Sequence, residues 1–255
     1  MQSTFKSTFK SSLKGAEPSN NRLSVGFELA AGLVAAAMLA FGLQVWLEGS
    51  PVWVVGSGLV YLSVAAAILR FWPARRERFG WPNRVTLARA VLVAVLAGVL
   101  MLPEIVQRHG AVLAVLAIAG LLLDGLDGWI ARLLDGTSRF GARFDMEVDA
   151  LLILVLSIAV VLGGRAGAWV LAIGGMRYAF VLAGLLLPWM RRELPVSVWR
   201  KGVCVAQGSV LAAALLPWLP VPLVQPALAL ALAALVHSFG RDTLWLWRHR
   251  ARDSA

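Results

Sequence analysis

Cysteine, histidine and charge are all scarce in this chain, and each scarcity closes off a class of function. A single cysteine, Cys204, excludes an intrachain disulfide and a thiolate metal cluster. His109, His237 and Cys204 are too scattered to suggest a zinc site. Charged residues make up only 15% of the 255 residues, against 59% hydrophobic, and mean hydropathy is +0.76. That balance lies outside the range of soluble domains and points to a membrane protein.

Long apolar stretches are what the chain has instead. Eight are long enough to cross a hydrocarbon layer of about 30 Å as helices. They run from Val25 to Leu47, Pro51 to Trp72, Val85 to Leu102, Ala111 to Leu134, Phe144 to Leu162, Gly167 to Leu187, Gly202 to Trp218 and Leu223 to Phe239. The expected fold is an all-α polytopic transmembrane helical bundle.

The net charge of +10 is informative through its placement. With the N-terminus taken as cytoplasmic, the far side of the membrane holds only Arg108 and Arg165, and Arg89 and Arg177 fall inside spans. Every other Lys and Arg then faces the cytoplasm, so both termini are expected there. The basic excess reads as topology and contact with anionic membrane lipid rather than nucleic-acid binding.

The expected organisation has four parts. Residues 1–24 form a basic, flexible cytoplasmic tail, and 25–72 two accessory spans whose one acidic residue is Glu28. Those spans read as packing or dimerisation helices. Residues 73–240 form a six-span unit opening on an interfacial segment within FWPARRERFGWP, and 241–255 a second basic tail.

The six-span unit holds nearly all the intramembrane polarity, concentrated in LLLDGLDGWIARLLDGTSRFGARFDMEVDALLIL. Residues three or four apart share a helix face, so Asp124 pairs with Asp127 and Asp145 with Asp149. The connection between the two helices is short, which makes them antiparallel neighbours and lets four carboxylates converge near the cytoplasmic end. Each charge deep in a span costs about 2.5 kcal/mol or more. Arg132 alone cannot compensate four acids, whereas one or two divalent ions can, and an all-oxygen donor set favours Mg²⁺ or Mn²⁺. The competing structural reading is a set of interhelix hydrogen bonds with Asp145 as a helix N-cap.

Carboxylates, a divalent ion and a cytoplasmic membrane surface suit phosphoryl-group transfer, with one carboxylate left to accept a proton from an attacking hydroxyl. Gly128 and Gly141 leave room for a nucleotide or a facing helix. A metabolite transporter could also carry mid-membrane acids, and a silent scaffold could keep the helices without the chemistry.

The pattern D-x2-D-G-x2-A-R-x8-G-x3-D-x3-D, carried by Asp124, Asp127, Gly128, Ala131, Arg132, Gly141, Asp145 and Asp149, resembles the signature of the CDP-alcohol phosphotransferases. The resemblance covers the chain from about Trp81 onward. It implies that Asp124, Asp127 and Asp145 bind the metal, and that Asp149 completes the site as general base. It further implies that Gly128, Ala131, Arg132 and Gly141 form the CDP pocket, and that the protein is a homodimer. The donor it implies is a CDP-linked lipid, most plausibly CDP-diacylglycerol, with an alcohol as acceptor.

The start PN-x2-T-x2-R, with Asn83, Thr86 and Arg89, resembles family members in which this segment lies near the nucleotide; a plain helix start with a snorkelling Arg is the alternative. LPVSVWRKGVCVAQ, with Lys201 and Gln207, is similar to the phosphatidylglycerophosphate and cardiolipin synthase branch. Arg177 lies deep in its span and needs an anionic partner, either an acceptor phosphate or one of the aspartates. These residues suggest glycerol 3-phosphate as acceptor, while departures at Phe144, Met146 to Val148 and Ala150 leave inositol phosphate, serine or another alcohol open. The expected location is a bacterial inner membrane with the site facing the cytoplasm.

Overall fold

The computed structural model describes residues 21–47, 50–72, 79–134, 138–191 and 197–249, with the side chains of 21, 22, 126–134, 139, 188, 191 and 198 outside that description. The described residues contain helices and no strand, and the fold is all-α and polytopic, as the apolar stretches predict. In order, the α-helices are α1 Asn21–Leu47, α2 Val52–Phe71, α3 Trp81–Val99, α4 Pro103–Arg108, α5 Gly110–Leu134, α6 Arg139–Leu162, α7 Leu171–Leu186, α8 Val198–Ala214 and α9 Val221–His249. Short 3-10 turns at Ala168–Val170 and Pro188–Arg191 flank α7.

Among the described residues, five helical stretches are long and apolar enough to cross a membrane: Leu23–Leu47, Val52–Phe71, Trp81–Val99, Ala168–Leu186 and Val221–His249. The other three expected spans also fall on helices, but each departs from the simple pattern. α5 is apolar over residues 110–123 and then carries Asp124 and Asp127. α6 opens with Arg143, Asp145, Glu147 and Asp149. α8 is 17 residues long and starts four residues before the expected span, because Ser197, in extended backbone at its N-cap, lets Arg200 and Lys201 join the first turn. α9 runs ten residues past the expected end at Phe239. Its extension is amphipathic, with Leu246 fully buried and Trp245 stacked on His249 one turn later, so much of the expected C-terminal tail is helix. The expected tail over 1–24 also gives way to helix from Asn21, while residues 1–20, 73–78 and 250–255 lie outside the described residues.

The chain divides into two compact units, Met1–Met101 with Ala119–Asp149 and Leu102–Ile118 with Ala150–Ala255. In the first, α1, α2 and α3 pack on one another, and α3 is the most deeply buried of the membrane-length helices. Pro82 in its first turn costs no hydrogen bond, since the N–H it lacks has no intrahelical acceptor there. Close helix approach rests on small residues. A Cβ on Gly98 would come within 2.5 Å of the Trp53 carbonyl on α2, and Ser57 turns its hydroxyl back to that same carbonyl at 3.0 Å. Between α1 and α2, the Tyr61 hydroxyl donates to the Leu29 carbonyl at 2.8 Å, with its ring against Gly32.

The second unit carries a distinct anchor. After α6, Gly164 adopts φ +66°, while the Gly164 N–H bonds to Val161 O and the Arg165 N–H to Val160 O, each at 3.0 Å; this is a Schellman ending. The turn aims the Arg165 guanidinium at the end of α8, where it donates to the carbonyls of Ala214 at 2.8 Å, Leu216 at 3.1 Å and Leu219. Ala214 O is one of the carbonyls that the helix end leaves without an intrahelical donor, and Leu216 and Leu219 belong to the turn that follows.

Candidate active site

Three helices of the first unit bring four charged groups together. α5 supplies Asp124, α6 supplies Asp145 and Asp149 one turn apart, and α3 supplies Arg89. The side chain of Arg89 is completely buried. Its Nη1 lies 3.1 Å from Asp124 Oδ1 and 2.5 Å from Asp145 Oδ1, and its Nη2 donates to Asp149 Oδ1. The three carboxylates are each about a quarter to a third exposed, so the cluster opens to solvent on its acidic side and is closed by the arginine.

One oxygen from each of Asp124, Asp145 and Asp149 lies within 4.8 Å of the others. An octahedral Mg²⁺ at about 2.1 Å from each ligand needs oxygens no more than about 4.2 Å apart, so a modest inward movement completes that geometry. The donor set is oxygen only, as a hard divalent ion requires. The reading of Asp145 as an N-cap is corrected by the geometry. Ser138 holds that position, accepting the Gly141 N–H at 2.9 Å, and Asp145 lies nearly two turns into α6.

Asn83 and Thr86 on α3 are buried, and the Thr86 hydroxyl turns back to the Pro82 carbonyl at 3.1 Å. Asn83 stands against Gly141: a Cβ there would come within 2.6 Å of Asn83 Oδ1 and 3.2 Å of Ser138 Oγ. The absence of a side chain at Gly141 thus makes room for a polar group of α3. Glu147, two residues from Asp145, is exposed. The side chains of Asp127, Gly128, Ala131 and Arg132 lie outside the described residues, although all four belong to α5.

Arg177, Lys201 and Gln207 belong to the second unit. Arg177 is half-buried on α7, Lys201 is exposed in the first turn of α8, and Gln207 is buried on α8 with its amide nitrogen making no hydrogen bond.

The pairing of Arg89 with the aspartates was not anticipated. The signal was available, because an Arg inside a span needs an anionic partner, the argument applied to Arg177. The same rule applied to Glu28 asks for a cation. The structure supplies Arg84, whose Nε and Nη2 donate to Glu28 Oε1 at 2.8 and 2.6 Å.

Comparison with known proteins places this geometry in context. The family model described as CDP-alcohol phosphatidyltransferase matches residues 79–239. A Mycobacterium tuberculosis protein provisionally named cardiolipin synthase is 32% identical over 118 residues, 46% of this chain and 54% of its own length. A Helicobacter pylori CDP-diacylglycerol--serine O-phosphatidyltransferase is 53% identical over 36 residues, 14% of this chain and 15% of its own. A Mycobacterium tuberculosis protein of that same name is 32% identical over 75 residues, 29% of this chain and 26% of its own. The chain spans about half the length of the first of these relatives and less of the others. No solved structure matches.

Proposed function

The chain belongs to the CDP-alcohol phosphatidyltransferase family, and from that premise we propose that it transfers a phosphatidyl group from CDP-diacylglycerol to an alcohol in phospholipid synthesis, releasing CMP. The observation that carries the reading is the convergence of Asp124, Asp145 and Asp149 on one point, with an oxygen-only donor set. These three, joined by Asp127 from α5, would hold Mg²⁺ or Mn²⁺, which when bound neutralises the pyrophosphate and the departing phosphate.

The chain's own residues do the rest. Asp149 accepts the proton of the acceptor hydroxyl, whose oxygen forms a bond to the lipid-side phosphorus while the bridging P–O bond to CMP breaks. Arg89, donating to Asp149, holds in place the carboxylate that this step needs. Asn83, Thr86, Arg89, Gly128, Ala131, Arg132 and Gly141 receive the CDP group. Arg177, Lys201 and Gln207 receive a phosphorylated acceptor, for which we propose glycerol 3-phosphate. Two cationic side chains and the unpaired amide nitrogen of buried Gln207 support that choice. The site faces the cytoplasm of a bacterial inner membrane and the protein works as a homodimer.

The test is CMP release by purified protein with CDP-diacylglycerol, Mg²⁺ and a panel of glycerol 3-phosphate, inositol phosphate, serine and simple polyols. Release with glycerol 3-phosphate, abolished by EDTA and by Asp149→Asn, is the expected outcome. Release with serine alone transfers the assignment to that acceptor, and none with any donor overturns the reading.

A further inference from the structure

The two N-terminal helices lie before the matched residues 79–239, and one acidic side chain, Glu28, breaks their apolar run. We propose that α1 and α2 form a clamp that positions the two site helices α3 and α6, with Glu28 and Trp72 as its positioning residues. The inference rests on the transferase reading for its kinetic arm alone.

Two separate contacts carry it. Glu28 on α1 takes both donors of Arg84, in the first turn of α3, and the Arg84 guanidinium also lies 4.8 Å from the centre of the Trp81 ring. Both partners of the ion pair are about a quarter exposed, so the bond is partly shielded from water. Arg84 follows Asn83 directly and lies five residues before Arg89, so this bond fixes the rotation and height of the helix that carries both. The second contact is aromatic. Trp72, immediately after α2, packs edge-on against Phe140 in the first turn of α6 at 4.8 Å, and Phe140 stacks with Phe144 at 6.1 Å. Asp145 is the next residue. Phe79, 5.6 Å from Trp72, ties the entry of α3 to the same cluster.

A pair of helices serving only as lipid-facing packing would need apolar contact with α3 and nothing more. A charged residue within α1 is costly in hydrocarbon without a partner. Here that cost is offset at the one place where it orients α3, and the aromatic contact reaches the start of the helix bearing Asp145 and Asp149. α3 carries side chains proposed to receive the CDP group, so loosening it weakens donor binding, which is what such a clamp prevents.

The test uses the full chain in lipid nanodiscs and five variants: Glu28→Gln, Arg84→Gln, the swap Glu28→Arg with Arg84→Glu, Trp72→Ala and Trp72→Phe. Amide hydrogen exchange is read over residues 81–90 and 139–146, together with KM for CDP-diacylglycerol and kcat. Glu28→Gln and Arg84→Gln are expected to speed exchange over 81–90 and to raise KM about five- to ten-fold with kcat within about two-fold. The swap is expected to restore both, because it rebuilds the ion pair. Trp72→Ala is expected to speed exchange over 139–146, and Trp72→Phe to leave it slow. Wild-type exchange and KM in the single variants, or a swap as impaired as the singles, overturns the proposal. If wild-type protein releases no CMP, the transferase reading fails and exchange alone decides the clamp.

Discussion

Arg89 and Asp124 face one another across 3.1 Å with the arginine wholly buried, so the acidic cluster is held by a protein cation built into α3. Among the described residues, three carboxylates share that one guanidinium. Removing the arginine leaves them to repel each other. Because the acids are partly exposed, the cost falls below that of breaking a fully buried pair: about 2 kcal/mol is expected for Arg89→Gln. Thermal unfolding in detergent measures it. Added Mg²⁺ is expected to recover more stability in Arg89→Gln than in wild type, because it supplies the missing positive charge; equal shifts would exclude the aspartates as the metal's ligands.

Gly141 is the second point where the site tolerates little change. A methyl group there would press on Asn83 Oδ1 at 2.6 Å and crowd the Ser138 cap. Overpacking of this kind costs about 1–3 kcal/mol. Gly141→Ala is expected to lower the unfolding temperature, and adding Asn83→Ala is expected to return most of it, since the obstructing amide is then gone. CMP release is expected to stay low in the double variant, because Asn83 is proposed to meet the nucleotide.

Much of this was legible in the chain before any fold was known, and the reasons are local. Asp145 and Asp149 had to share a face because helix geometry puts residues four apart one above the other, and Asp124 had to come near them because the connection is short. Arg89 was harder to read, since the same residue satisfies a snorkelling pattern and a buried ion pair, and only packing decides between them. The Glu28 to Arg84 bond joins residues 56 apart in sequence, a separation on which helix periodicity carries no information. The start of α8 was placed at Gly202 because Arg200 and Lys201 interrupt the apolar run there. Arg200 in fact lies within the helix, 3.3 Å from Asp242 of α9.

Arg165 was read only as one of two basic residues on the far side of the membrane, yet it takes three carbonyls around the end of α8. Charge-assisted hydrogen bonds of this sort are worth about 1.5–3 kcal/mol, and the site is partly exposed, so Arg165→Ala is expected to cost about 2 kcal/mol. Gly164→Ala is expected to cost about 1 kcal/mol, because φ +66° is unfavourable for any residue with a Cβ. Chemical or thermal unfolding checks both. Activity per folded molecule is expected to be unchanged, since neither residue belongs to the acidic cluster.

Asp145 and Asp149 look alike in the structure, each bonded to Arg89, but the proposed chemistry separates them. Asp149→Asn removes the proton acceptor and one ligand, so CMP release is expected to fall by at least about 10³-fold with no recovery at high Mg²⁺. Asp145→Asn removes a ligand alone. Its loss is expected to appear as a higher Mg²⁺ requirement, with much of the rate returning when the ion is raised into the millimolar range. Titrating Mg²⁺ against initial rate for the two variants distinguishes the roles. Recovery of Asp149→Asn by the ion would move the proton-accepting role to another carboxylate, and Asp127, on the turn of α5 after Asp124, would be the next to replace.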